Sequence, residues 1–128
     1  MPRTLRVLVA DDNRDFAFTL MMLLRHEGHD VRGAFTGRQV MDSVSVFDPD
    51  ALVLDIALPD ISGWDIARHI RQQRKTARPM LIGVSGAYKQ GADKVLSEMI
   101  GFDHYLIKPC DPSAVIALLR ALQQPSPQ

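Results

Sequence analysis

Five short apolar runs, separated by segments of helical periodicity, restrict the fold of this 128-residue chain more than any other feature. Several of these runs are continuously apolar rather than alternating, as strands buried on both faces of a sheet require. Parallel strands in turn need helical crossover connections. The sequence therefore predicts an α/β fold in which helices cover both faces of a parallel sheet, with strands at residues 5–10, 29–34, 51–54, 79–84 and 102–107.

Five helices are predicted from apolar stripes at helical spacing and from residues typical of helix ends. The fourth covers residues 91–100, and the last carries an apolar face from Val115 to Leu122. The signals at the helix ends are a glycine that closes the first helix, side chains that begin the second and third, and an aspartate and proline that begin the last: Gly28, Thr36, Ser62, Asp111 and Pro112.

The composition limits the class of protein. Fifteen basic residues balance fifteen acidic ones, and this balance argues against direct binding to nucleic acid. The single Cys110 fits a reducing compartment, and no apolar run approaches the ~18 residues of a membrane span. We therefore expect a cytoplasmic, soluble domain over residues 1–123, with a flexible tail at 124–128 and no membrane contact.

Four of the five predicted strands end on side chains that are capable of chemistry. In open α/β sheets, ligands bind beyond the carboxyl ends of the strands. Each of these side chains has an ordinary structural explanation when taken alone, such as helix capping for the aspartates. A carboxylate directly after a buried strand is nevertheless costly to desolvate without a cation or hydrogen-bond donors. Together they indicate a functional site that contains Asp11, Asp12, Asp55, Ser85 and Lys108.

At these positions the sequence resembles the receiver domains of two-component response regulators, including the chemotaxis regulators. The resemblance extends from one end of the chain to the other. The resemblance implies the flavodoxin-like, doubly wound sheet of five parallel strands in the order 2-1-3-4-5, with five helices. In that order the first and third strands are neighbours, so their carboxylates are expected to cluster. The motifs that carry the resemblance are 11–13, 55–59 with Gly63, 85–86 and 105–109.

The resemblance implies a phosphoacceptor that binds Mg²⁺. Asp55 would take a phosphoryl group from a histidine kinase or a histidine phosphotransfer protein and form an aspartyl phosphate. Mg²⁺ prefers a few carboxylates together with water and phosphate oxygens. Asp12, Asp55 and the backbone carbonyl of Ala57 would bind it directly, and Asp11 largely through water.

The resemblance also assigns roles to the ends of the fourth and fifth strands. Lys108 would offset charge on the phosphoryl oxygens, and the Lys108–Pro109 peptide bond is cis in this family. Ser85 would donate a hydrogen bond to the phosphoryl group, and Tyr105 would turn inward in response. A downstream protein would then bind the face formed by the fourth helix, the fifth strand and the fifth helix.

Two other classes of protein are compared with this interpretation. An aspartyl phosphatase of the haloacid dehalogenase type needs a second acid two residues after the nucleophile, where this chain has Ala57. A pseudo-receiver, which acts only by protein contact, is expected to lack an acidic or lysine position of the motif. We therefore expect a signalling phosphoacceptor with self-catalysed phosphorylation and dephosphorylation rather than an enzyme, either stand-alone or part of a longer protein such as a hybrid histidine kinase.

The histidines and the tryptophan receive structural interpretations. The four histidines show no spacing typical of metal ligands, and His26 and His29 are expected at the surface. Trp64 follows Gly63 at the start of the third predicted helix, and a partly buried position is expected for it.

Overall fold

Five parallel strands form one sheet in the computed structural model, which describes residues 3–73, 79–86 and 100–124. The strands are β1 (Arg6–Ala10), β2 (Asp30–Ala34), β3 (Ala51–Asp55), β4 (Met80–Ser85) and β5 (His104–Ile107). Their order across the sheet is β2-β1-β3-β4-β5. This order confirms the doubly wound, flavodoxin-like sheet that the sequence predicts.

Four helices lie in the described part of the chain: α1 (Arg14–His26), α2 (Gly37–Phe47), α3 (Gly63–Gln72) and α4 (Pro112–Gln123). The predicted fourth helix falls between β4 and β5, where residues 91–99 lie outside the described residues, as do residues 125–128 of the predicted tail. Each described helix begins at a side chain that accepts a hydrogen bond from its first turn. These capping residues are Asn13, Thr36, Ser62 and Asp111.

The core lies on both faces of the sheet, because successive side chains of a strand point to opposite faces. Along β1, Val7 and Val9 belong to a cluster with the buried faces of α1 and α4, whereas Leu8 belongs to one with α2 and α3. All five residues of β3 are buried. A charged residue at the end of β3 therefore enters an apolar environment.

Strand β5 begins two residues later than the sequence predicts. Asp103 leaves the strand pattern because its backbone amide donates to the carbonyl of Leu81 at 2.9 Å while its carboxylate accepts from the Leu81 amide at 2.8 Å. The preceding Phe102 is still buried, at 5% exposure, so its apolar character contributes to the core from a loop. The apolar pattern of the sequence does not by itself distinguish a buried strand residue from a buried loop residue.

The expectation of a surface position is wrong for His29. Its side chain is buried, because the residue follows the left-handed Gly28 and its amide donates to the carbonyl of Leu24 as the chain enters β2. Burial lowers the pKa of His29 below the ordinary value for histidine. The residue is therefore part of the packed start of β2 rather than of the solvated end of α1.

Arg71 near the end of α3 connects three segments of the chain. Its side chain is 13% exposed and donates to the carbonyls of Gly101 and Pro79, each at 2.8 Å. It also pairs with the carboxylate of Asp103 at 2.8 Å. The left-handed Gly101 allows this approach, since a Cβ there would lie 2.7 Å from the Arg71 Cγ atom. Arg71 thus stabilises the starts of β4 and β5 against α3.

Replacement of Arg71 by alanine should lower the free energy of unfolding by ~1–3 kcal/mol, because two backbone carbonyls and the partly exposed Asp103 carboxylate lose a charged donor. Urea denaturation measures the change. Arg68→Ala is the matched control on the same helix, since Arg68 is exposed and pairs with Asp65 one turn away on the helix surface. The control should cost less than ~0.5 kcal/mol, and equal losses in both variants would contradict this role for Arg71.

Candidate functional site

The register of the sheet places the ends of four strands side by side. Ala10 of β1 pairs with Leu54 of β3, Asp55 with Val84 of β4, and Ser85 with Ile107 of β5. The residues that follow these pairs therefore meet at the carboxyl edge of the sheet. All the site residues predicted from the strand ends, Asp11, Asp12, Asp55, Ser85 and Lys108, belong to this edge.

Two of the carboxylates are almost fully buried. Asp11 is 1% exposed and Asp55 is 3% exposed. The Oδ1 atom of each accepts a hydrogen bond from the backbone amide two residues further on, Asn13 at 2.9 Å and Ala57 at 3.0 Å. These local bonds fix the orientation of both carboxylates and leave the Oδ2 atoms directed toward Lys108.

Lys108 is the cation that the two buried carboxylates share. Its Nζ atom lies 2.8 Å from Oδ2 of Asp11 and 3.5 Å from Oδ2 of Asp55. The ammonium also lies 5.5 Å from the centre of the Phe16 ring. The backbone amide of Lys108 donates to the Ser85 carbonyl at 2.8 Å, and the Lys108–Pro109 peptide bond is cis.

The single ammonium of Lys108 does not neutralise the negative charge of the two buried carboxylates. Burial, followed by the repulsion of Asp11, raises the pKa of Asp55 to about 6, although the Ala57 amide and Lys108 both favour the ionised form. Burial alone would lower the pKa of Lys108, but its ion pairs with Asp11 and Asp55 raise it above the ordinary value. The ionised Asp55 is thus held at a cost in free energy that a second cation would relieve.

A metal ion fits this set of ligands. Asp11, Asp12 and Asp55 each offer an oxygen, and these oxygens lie within 4.8 Å of one another. Asp12 is exposed and extends the cluster toward solvent. A few carboxylates with room for water is the ligand set that Mg²⁺ prefers. Ala57 is exposed in the loop directly after Ile56.

An open cleft adjoins Lys108 on the solvent side. It has a volume of about 430 Å³ and is lined by Asn13, Phe16, Gly86, Lys108, Pro109 and Cys110. Burial raises the pKa of the Cys110 thiol, which keeps this residue in its unreactive form. The cleft thus opens beside the lysine whose ammonium pairs with both buried carboxylates.

Ser85 and Tyr105 lie on neighbouring strands, and the tyrosine belongs to an aromatic cluster. Ser85 is 5% exposed at the end of β4. The Tyr105 ring stacks on Trp64 with centres 5.9 Å apart and an interplanar angle of 14°, and Phe102 meets Trp64 edge-on at 5.8 Å. The Tyr105 hydroxyl is buried and has no hydrogen-bond partner among the described residues.

Gly83 and Asp60 also contribute to this region, although they were not among the site residues expected from the sequence. A Cβ at Gly83 would lie 3.0 Å from the Phe102 ring and 3.2 Å from that of Tyr105, so glycine lets both rings lie against β4. A glycine inside a strand is itself a signal of such close approach. Asp60 binds the amides at the start of α2, and no sequence pattern indicates this long-range contact.

The geometry agrees with the comparisons with known proteins. Residues 7–120 match the family described as response regulator receiver domain. The chain belongs to this family. Receiver domains act as phosphoacceptors in two-component signalling and generally bind Mg²⁺, and this chain has the acidic cluster of Asp11, Asp12 and Asp55.

Individual relatives support the same family. The response regulator ArlR of Staphylococcus aureus is 32% identical over 123 residues, which cover 96% of this chain and 54% of that protein. The chain thus spans about half the length of the curated relatives it matches. The structure is similar to a response regulator receiver domain from Bermanella marisrubri, with a TM-score of 0.81, 28% identity, and coverage of 93% of this chain and 98% of that one.

A Francisella response regulator receiver domain is also similar, with a TM-score of 0.86 and 25% identity over 94% of this chain and 97% of that one. Among the described residues, none of the helices has the length and apolar character needed to cross a membrane.

Asp55→Asn should stabilise the metal-free protein by ~2–3 kcal/mol near neutral pH, because it removes a buried charge. The folded protein holds the Asp55 proton up to a pH of about 6, whereas the ordinary value is 3.8. The free energy of unfolding of wild type should therefore fall as the pH rises from 3.8 to about 6. The difference in stability between the variant and wild type should grow over the same interval. Urea denaturation at several pH values tests this, and a difference that does not depend on pH would contradict it.

Proposed function

We propose that this chain accepts a phosphoryl group on Asp55 and thereby switches a protein-binding face. The observation that carries the proposal is the convergence of a buried carboxylate, a lysine ammonium at 3.5 Å and two further carboxylates at one edge of the sheet. The donor would be the phosphohistidine of a histidine kinase or of a phosphotransfer protein. We place this reaction in the cytoplasm, without direct binding to nucleic acid.

The reaction forms one bond and breaks another. A carboxylate oxygen of Asp55 attacks phosphorus, the bond from phosphorus to the imidazole nitrogen breaks, and the imidazole retains the electron pair. The hydrogen bond from the Ala57 amide holds the Oδ1 atom, so the carboxylate meets the donor in a fixed orientation. The donor ring would approach through the cleft beside Lys108 and Phe16.

Mg²⁺ would supply positive charge against the phosphoryl oxygens and among the carboxylates. Asp12, Asp55 and the carbonyl of Ala57 would be its direct ligands, and Asp11 would act largely through water. The buried Asp11 carboxylate already holds the Lys108 ammonium at 2.8 Å. It thereby keeps the lysine in position to meet a phosphoryl oxygen once that group is present.

Phosphorylation and its reversal would both be catalysed by the chain itself. Ala57 lies two residues after Asp55 and Gly86 directly follows Ser85, and both residues are small and exposed. Such small residues near the acceptor would leave water a path to the phosphoryl group. Loss of the phosphoryl group by hydrolysis would return the domain to its starting state without a separate phosphatase.

The switch would consist of Ser85 and Tyr105. A phosphoryl group on Asp55 would draw the Ser85 hydroxyl toward it, and the Tyr105 ring, which already lies against Trp64, would be stabilised inward. A charge-assisted hydrogen bond of ~1.5–3 kcal/mol is enough to shift two populations about tenfold or more. The downstream partner would bind the face that includes β5 and α4. The predicted fourth helix, which was also expected on this face, lies outside the described residues except for Ile100.

Incubation with acetyl phosphate and Mg²⁺ should add one phosphoryl group to the wild-type chain, and Asp55→Asn should abolish the addition. Intact-mass spectrometry measures it directly. Asp65→Asn is the matched control, since this carboxylate is exposed on α3 and should leave labelling unchanged. Equal labelling of the Asp55 variant would contradict the proposed acceptor. A wild-type chain that takes no phosphoryl group would support the pseudo-receiver alternative.

Ser85→Ala should leave phosphorylation of Asp55 possible, but phosphorylation should no longer change the surroundings of Tyr105 and Trp64. Beryllofluoride, a phosphoryl mimic, should change the amide shifts of β5 and the emission of Trp64, the single tryptophan, in wild type. Both changes should shrink in the variant, while fluorine NMR shows that beryllofluoride still binds. Identical changes in the two proteins would contradict the coupling of Ser85 to Tyr105.

A further inference from the structure

The loop of residues 56–62 carries the carbonyl proposed as a metal ligand, and its two ends are held by the backbone. The amide of Ile56 donates to the Val84 carbonyl at 3.0 Å, and the amide of Gly63 donates to the Ile56 carbonyl at 2.8 Å. Ile56 and Leu58 are buried in the core beside α2 and α3. Between these contacts, Ala57, Pro59 and Asp60 are exposed.

Asp60 connects the exposed part of this loop to the start of α2. Its Oδ1 atom accepts from the amide of Gly37 at 2.6 Å, and its Oδ2 atom accepts from the amide of Arg38 at 3.0 Å. The first amides of a helix have no partner within the helix and carry partial positive charge. The hydrogen bond from Gly37 accordingly lowers the pKa of Asp60, which remains ionised.

The 56–62 loop packs closely against the start of α2, and α2 has a capping residue of its own in addition to Asp60. A Cβ at the buried Gly37 would lie 2.7 Å from the Ile61 Cβ atom. Only glycine at position 37 therefore lets the loop lie this close to α2. The Thr36 hydroxyl accepts from the amide of Gln39 at 3.1 Å, and the Gln39 side chain accepts from the Phe35 amide at 2.7 Å. Asp60 therefore adds a connection between two segments to a helix end that is already capped.

We propose that Asp60 is a positioning residue for Mg²⁺ binding, which holds the 56–62 loop on α2 and thereby fixes the backbone carbonyl of Ala57. This inference rests on the proposed function, in which that carbonyl is a ligand. Mg²⁺ demands nearly ideal octahedral geometry, so freedom of a loop ligand lowers affinity. Both Asp60 oxygens are occupied by amides, so its effect on the ion passes through the loop.

Asp60→Ala should weaken Mg²⁺ binding about tenfold, the size of effect found when groups that support a metal ligand are removed. Asp60→Asn, which keeps one acceptor oxygen, should lie between this variant and wild type. Thr36→Ala is the matched control, because it removes a hydrogen bond to a different amide of the same helix end, that of Gln39. It should change Mg²⁺ affinity less than about twofold. Titration calorimetry measures all three variants.

A second measurement needs no metal. In the metal-free protein, the amide shifts and hydrogen exchange of residues 56–62 should change in Asp60→Ala and stay as in wild type in Thr36→Ala. Wild-type Mg²⁺ affinity in Asp60→Ala, or an equal loss in Thr36→Ala, would overturn the proposed role of Asp60.

Asp12→Ala separates this inference from the proposed function. If Asp12→Ala severely weakens Mg²⁺ binding and Asp60→Ala does not, only the positioning role is wrong. If Asp12→Ala also binds Mg²⁺ as wild type does, the ion binds elsewhere, and both the metal site and the role of Asp60 are wrong.

Discussion

Asp11 and Asp55 share the ammonium of Lys108, and the packing around the carboxyl edge of the sheet holds this interaction in place. Two carboxylates lie almost fully buried at the ends of adjacent strands, and one ammonium lies 2.8 Å from the first and 3.5 Å from the second. Burial of uncompensated charge costs free energy. The core must therefore hold these groups in place while the site retains an excess of negative charge.

The layered fold holds these groups in place. Strand β3 is buried over its whole length, and parallel pairing with β1 and β4 fixes the position of Asp55 relative to Asp11 and Ser85. Local amide bonds then orient each buried carboxylate, and the contact of Asp60 with α2 holds the following loop. A site that is oriented before its ligands arrive loses little free energy to reorganisation when they bind.

Much of this arrangement could be predicted from the sequence, because continuous apolar runs define buried parallel strands and the residues after them meet at one edge. Strand order and the cluster of Asp11, Asp12 and Asp55 follow from the resemblance of the motifs. The start of β5 and the burial of His29 could not be predicted, since local hydrogen bonds and neighbouring packing decide them. The contacts of Asp60 and Trp64 depend on side chains brought together only by the tertiary fold.

The ionised Asp55 is held at a cost in free energy that a divalent cation relieves. Carbon-detected NMR titration of the Asp55 carboxyl group, in the metal-free protein and with saturating Mg²⁺, measures this cost. We expect a pKa of about 6 without the ion and a value below the ordinary 3.8 with it. A pKa of Asp55 near 3.8 in both conditions would show that the buried carboxylate is ionised without such a cost.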